Sequence, residues 1–75
     1  MKLHTIGTHQ TELETEKARI LFSYDTPVAA YLYDEHQYIR TSKRWSNTTT
    51  KHINTWLNDS PCLIVPQDVL DELKD

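Results

Sequence analysis

Seventy-five residues, 37% apolar and 25% charged, describe one compact α+β-sized domain rather than a disordered tail. A chain this short buries only about 60% of the surface its unfolded form exposes, which leaves little room for a deep active-site cleft and favours binding over catalysis. A net charge of −3 speaks against gripping duplex nucleic acid by bulk electrostatics, and the single cysteine, Cys62, permits no internal disulfide.

Met1 to Thr15 is polar, without the apolar stretch of a secretory leader, and no apolar run reaches the roughly 18 residues of a membrane span. The expectation is a cytoplasmic protein, of a bacterium or an infected host cell, with no cofactor and no membrane contact.

In chain order, residues 3–6 read as a short strand, and Gly7, the only glycine, as a bend or bulge. Thr8 to Lys17 is polar and reads as a loop or a solvated edge strand anchored by Leu13. From Ala18 to Tyr24 the pattern alternates. Ile20, Phe22 and Tyr24 share one face and Arg19, Leu21 and Ser23 the other, the signature of a half-buried strand. Asp25-Thr26-Pro27 interrupts it, since proline lacks a ladder donor and restrains the residue before it. Val28, Ala30 and Leu32 alternate with Ala29, Tyr31 and Tyr33 in a further strand. After the polar turn Asp34-Glu35-His36, Gln37 to Thr41 forms another. Such short connections predict an antiparallel meander.

The period changes after Trp45. Ser46 or Asn47 suits an N-cap, and Thr49, Ile53, Trp56 and Leu57 then fall on one face of a helix near residues 47–58. Three consecutive threonines are poor helix formers, so packing must hold that helix. Asn58-Asp59-Ser60-Pro61 ends it. Cys62 to Val65 reads as a buried strand or an extended core segment, with Cys62 a small buried hydrophobe. Pro66 and Asp68 open a short C-terminal helix carrying Val69, Leu70 and Leu73. The predicted fold is α+β: an antiparallel meander of three to four strands packed by one main helix, plus a short C-terminal helix. Ile20, Phe22, Val28, Ala30, Leu32, Ile53, Trp56 and Leu57 are the expected core.

Charge is segregated along the chain. No acid occurs between Glu35 and Asp59, where Arg40, Lys43, Arg44 and Lys51 fall, with His36 and His52 close by. The acids gather at Glu12, Glu14 and Glu16 and again at Asp68, Asp71, Glu72 and Asp75. His4, His9, His36 and His52 lack the close pairing that structural zinc sites use, and the neighbours of Cys62 do not activate a thiolate. Glu12, Glu14 and Glu16 suit an exposed edge, where charge discourages strand addition. A sharper account makes them a carboxylate row imitating DNA phosphates.

Two segments together carry a resemblance. Ser23-Tyr24-Asp25-Thr26-Pro27-Val28-Ala29 is followed by Thr41, then by Ser46, Thr48, Thr49, Lys51, His52, Ile53 and Trp56 in the spacing TxxxxSxTTxKHIxxW. Over residues 20–57 the chain resembles small uncharacterised proteins of bacteriophages and other mobile elements. The resemblance implies that setting and brings no activity with it.

The candidate site is the basic, hydroxyl-rich junction. Helix N-termini offer free amides and partial positive charge to phosphate or carboxylate. Ser46, Thr48 and Thr49 would add hydroxyls, Arg40, Lys43, Arg44 and Lys51 charge, and Tyr38 and Trp45 stacking surfaces, with His52 closing the patch. The plainer account is a capped helix with its threonines bonding its own backbone and its lysines in water. The expected function is that of a non-enzymatic phage or mobile-element accessory protein that modulates or inhibits a host protein complex handling nucleic acid or defence. Direct nucleic-acid binding through residues 40–52 is the alternative, and a small virion or structural subunit a further one. The sequence sets no oligomeric state.

Overall fold

Five consecutive strands precede the first helix, and apolar alternation marks those from Ala18 onward. The computed structural model describes residues 2–7 and 9–73; Thr8 and Asp75, which figure in the sequence reading, lie outside the described residues. The strands are β1 (Lys2–Gly7), β2 (Gln10–Glu14), β3 (Ala18–Ser23), β4 (Thr26–Leu32) and β5 (Gln37–Thr41). Helix α1 (Asn47–Leu57) follows, then β6 (Cys62–Val65) and helix α2 (Gln67–Leu73).

The fold is α+β, as expected, but the sheet has six strands in the order β1-β2-β3-β4-β5-β6 instead of three to four. β1 to β5 pair antiparallel, and β6 joins β5 in parallel. A parallel neighbour needs a crossover longer than a hairpin, and α1 supplies it. The polar segment before β3 becomes an interior strand, paired with β1 on one side and β3 on the other. Its polarity reflects faces that the helices cover only in part, Leu13 packing against the α2-side cluster and Glu12 accepting from Trp56 of α1, rather than an edge position. Gly7 sits at a register shift in the β1–β2 ladder.

β3 is not half-buried. Ala18 and Ile20 pack with Ala30, Ile39 and Leu70 beneath α2, while Leu21 packs with Val28, Ala29, Ile53 and Leu57 beneath α1. Leu21 and Ser23, expected on the solvent side, are therefore buried, because each face of the sheet carries its own helix. A bulge helps: Leu21 faces Ala29 and Phe22 faces Pro27, so Val28 is the extra residue of β4. Val28 and Ala29 then both join the α1-side cluster. Pro27 stands at this bulge, where a missing ladder donor is tolerated.

Ile20, Val28, Ala30, Ile53 and Leu57 are buried as expected. Phe22, Leu32 and Trp56 are only half-buried, at the margins of the two helices. Tyr24 is exposed, having left the strand for a turn with φ 58°. Cys62 is half-buried because β6 is an outer strand.

Leu21→Ala should cost about 2–5 kcal/mol, the range for truncating a buried leucine. Phe22→Ala should cost less despite its larger side chain. Urea titration of both variants checks the ranking, and a larger loss at Phe22 would contradict the two-sided burial of β3.

Candidate functional site

The two halves of the sequence motif meet in one hydrogen-bonded run between sheet and helix. Ser46 is the N-cap of α1, and its Oγ accepts the Thr49 N–H at 3.1 Å. The Ser46 hydroxyl donates to Thr49 Oγ1 at 3.2 Å, Thr49 Oγ1 and Ser23 Oγ are 3.0 Å apart, and Ser23 Oγ lies 2.9 Å from His52 Nδ1. With Ser46 donating, each hydroxyl passes one proton forward, and a neutral His52 protonated on Nε2 completes the run. A serine beside a histidine has the spacing of a nucleophile and its base. Ser23 is only 2% exposed, however, so its hydroxyl cannot meet a substrate. The run is a clamp that fixes the start of α1 over the end of β3.

That clamp leaves an open cleft of about 360 Å³ between α1 and the strands β5 and β6. The segment from Arg40 to Trp45 forms one wall, with Thr49, Thr50, Ile53 and Ile64 across from it. The Ser42 N–H donates to the Val65 carbonyl at 2.8 Å, tying this wall to β6. Lys43 Nζ lies 4.1 Å from the centre of the Trp45 ring. Trp45 Nε1 donates to Gln67 Oε1 at 3.2 Å, and Gln67 Nε2 donates to the Pro27 carbonyl at 2.7 Å. Arg40 and Arg44 reach only the neutral side-chain oxygens of Asn54 and Asn47, at 3.4 and 3.3 Å. Among the described residues, no carboxylate lies within 4.0 Å of Arg40, Lys43, Arg44 or Lys51.

Of the residues singled out from the sequence, Arg40, Lys43, Arg44, Trp45 and Thr49 line this cleft together. Ser46 caps the helix beside it, and Thr48 and Lys51 are exposed on α1. His52 is committed to Ser23, and Tyr38 lies elsewhere, its ring 4.6 Å from Tyr31 and 5.7 Å from Trp56. Sequence reasoning missed Asn54, Gln67 and Ile64. Nothing local marks the first two, and Ile64 reaches the cleft only because β6 returns beside β5.

The acidic residues are arranged differently from expectation. Glu12 and Glu14 stand on an interior strand, so they do not guard an edge. Glu12 Oε1 accepts from Trp56 Nε1 at 3.0 Å, and Glu14 lies 3.6 Å from His4. Desolvation first, then the Glu14 carboxylate, holds the Tyr33 phenol above its ordinary pKa, with Arg19 opposing. Among the described residues no helix is long and apolar enough to cross a membrane.

The chain matches a family over residues 1–72, a span that takes in the whole sheet, the clamp and the cleft. It belongs to the Family of unknown function (DUF8033). Comparison with curated proteins and with solved structures finds no match. For this DUF8033 chain the geometry of its own side chains therefore carries the functional argument.

Ser23→Ala should cost about 1–3 kcal/mol by stranding the Thr49 hydroxyl and His52 Nδ1. Thr49→Val added to it should cost less than its single-variant value, since the two share a bond. Denaturant melts of the four-member cycle measure the coupling, and strict additivity would dissolve the clamp. Trp56→Ala should lose about 2–3 kcal/mol, short of the 3–5 expected for a fully buried ring. Trp56→Phe should retain most of the packing and lose about 1 kcal/mol with the bond to Glu12.

Proposed function

We propose that this DUF8033 chain is a non-enzymatic binding protein whose working surface is the cleft between β5, β6 and the start of α1, and whose partner is an acidic protein surface. The observation that carries this reading is the cluster of Arg40, Lys43 and Arg44 around an exposed Trp45, with no carboxylate among the described residues within 4.0 Å of these cations. Tryptophan and arginine are the side chains that dominate protein-binding hot spots, and Ile64 adds an exposed apolar wall. Cations left without partners raise association rates toward acidic surfaces and select against basic ones.

Nucleic acid remains the second reading, supported by the same cations. Against it, Lys43 already lies over one face of the Trp45 ring, which leaves at most the other face for a base to stack on. The resemblance of residues 20–57 to phage and mobile-element proteins supplies the setting alone; within it the partner proposed is a host protein complex that handles nucleic acid or defends the cell, which the chain modulates or inhibits in the host cytoplasm.

Replacing Arg40, Lys43 and Arg44 together with alanine should abolish capture of the partner from host lysate while leaving the melt nearly unchanged. Such surface substitutions shift stability by only about 0.5 kcal/mol each. Trp45→Ala should weaken capture as strongly as the triple change. A triple variant that captures the same proteins as the parent would remove the cleft from consideration. Retention on DNA that collapses steeply between about 50 and 200 mM salt would favour the nucleic-acid reading instead.

A further inference from the structure

Apolar exposure concentrates at the two edges of the sheet. Seven large apolar side chains are exposed among the described residues, and four of them belong to the outer strands: Leu3 and Ile6 on β1, Leu63 and Ile64 on β6. An outer strand presents a row of unpaired backbone N–H and C=O groups, which proteins commonly blunt with charge, proline or a covering element. β6 has neither charge nor proline within its four residues; Pro61 and Pro66 only flank it. β1 carries Lys2 and His4, and its ladder is regular from Lys2 to Thr5 before the shift at Gly7. The two edges thus offer matching regular stretches of four residues.

The strand registers join these edges through the middle of the sheet. Leu3 faces Leu13, Leu13 faces Ile20, Ile20 faces Ala30, Ala30 faces Ile39, and Ile39 faces Leu63. Residues directly opposite on neighbouring strands share a face, so one apolar line crosses the whole sheet on the α2 side. Its middle is covered, with Ile20, Ala30 and Ile39 at 0%, 0% and 3% exposure. Its ends are open, with Leu3 at 69% and Leu63 at 57%.

We propose that copies of this chain add edge to edge, β6 of one receiving β1 of the next, so that Leu63 stands beside the next Leu3 and the apolar line continues across the join. Directions agree. The antiparallel ladder makes β1, β3 and β5 run the same way, and β6 runs with β5, so the join is a parallel pair with both faces kept. Charge favours this join over its twofold rival at low ionic strength. Pairing β6 with β6 would instead set the two copies of Arg40 three strands apart, like charge facing like charge. Pairing β6 with β1 turns the basic end toward the end that carries Glu12 and Glu14 on the same face. At about 4.8 Å per strand, the strand of Arg40 and that of Glu12 lie roughly 14 Å apart across the join, beyond the Debye length of about 8 Å at physiological salt, so the preference fades as salt rises. Each strand step adds about −20 to −25° of twist, so successive copies wind instead of lying flat.

The proposal rests on the two edges and on the charge that faces across the join, and stands whether or not the cleft binds a partner. Sedimentation velocity over a concentration series tests it, using the parent, Leu3→Lys and Leu63→Lys. Both substituted residues are exposed, and thermal melts matching the parent will verify folding. The parent's average mass should rise with concentration, each variant alone should stay monomeric, and an equimolar mixture should form a dimer and stop there. In that mixture one variant keeps only a working β6 edge and the other only a working β1 edge. A parent that stays monomeric throughout would overturn the proposal. Leu3→Lys that still dimerises, with a mixture that gains nothing, would establish twofold β6 pairing instead. Variants that assemble like the parent would place the contact on another surface.

Discussion

Burial of β3 on both faces is the constraint on which the rest of this structure depends. A chain of this size has few large apolar side chains, and an ordinary meander with one helix would bury only one face of them. Here Ile20 and Leu21, adjacent in sequence, are both fully buried because α2 covers one and α1 the other. The small residues make this possible. Ala18, Ala29 and Ala30 let the helices approach the sheet closely, and the extra residue Val28 turns a second side chain toward α1. α1 must therefore be held at a fixed position, and its threonine-rich first turn has little intrinsic tendency to form. The buried run through Ser46, Thr49, Ser23 and His52 resolves that conflict: poor helix formers become the hydrogen-bonding groups that anchor the helix. Fully satisfied, such a network specifies position; half-satisfied, it would weaken the core.

Much of this was legible in the sequence. The alternation from Ala18 to Leu32 located two strands, and the change of period after Trp45 the main helix, because one face of each meets a partner with a regular spacing. The central apolar residues Ile20, Ala30 and Ile53 followed from the same spacing. What failed was the side count. A period of two reports that two faces differ, and Arg19 and Ser23 made the second face of β3 look wet. Arg19 instead lies over the Tyr31 ring and Ser23 finds its partners on α1, so both polar residues sit on a covered side. β2 was ambiguous for a related reason: its pairing is backbone, which side-chain polarity does not reveal. The site was legible as a charge cluster. Its walls were not, since Ile64 and Gln67 reach it from elements whose position depends on the crossover through α1.

Charge segregation along the chain becomes segregation across the sheet. Arg40 stands on β5 and the other cations just beyond it, whereas Glu12 and Glu14 stand on β2, three strands away. The acids are engaged, Glu12 by the Trp56 indole and Glu14 near His4, while the cations meet only neutral amides and a ring. Among the described residues no ion pair uses this basic cluster, which leaves its electrostatic potential available to the proposed partner. Surface pairs would have contributed little stability in any case, so leaving the cations unpaired costs the fold almost nothing.

The proposed binding cleft and the proposed assembly edge meet at Ile64. Its side chain stands in the cleft wall, and its backbone belongs to the open edge of β6. A partner that buried Ile64 in the cleft would withdraw apolar surface from the join, and a neighbouring strand on β6 would narrow the approach to the cleft. Coupling between two binding equilibria is reciprocal: whatever factor assembly imposes on partner affinity, the partner imposes on assembly. The sign follows from shared surface. Two ligands competing for one side chain disfavour each other, so the free chain and its bound form would differ in assembly as well as in occupancy. Gln67 extends the same logic to the other face, because it holds both the Trp45 indole and the Pro27 carbonyl. A tryptophan drawn into a partner would release one of those bonds, so the cleft is linked to the start of α2 through a single side chain.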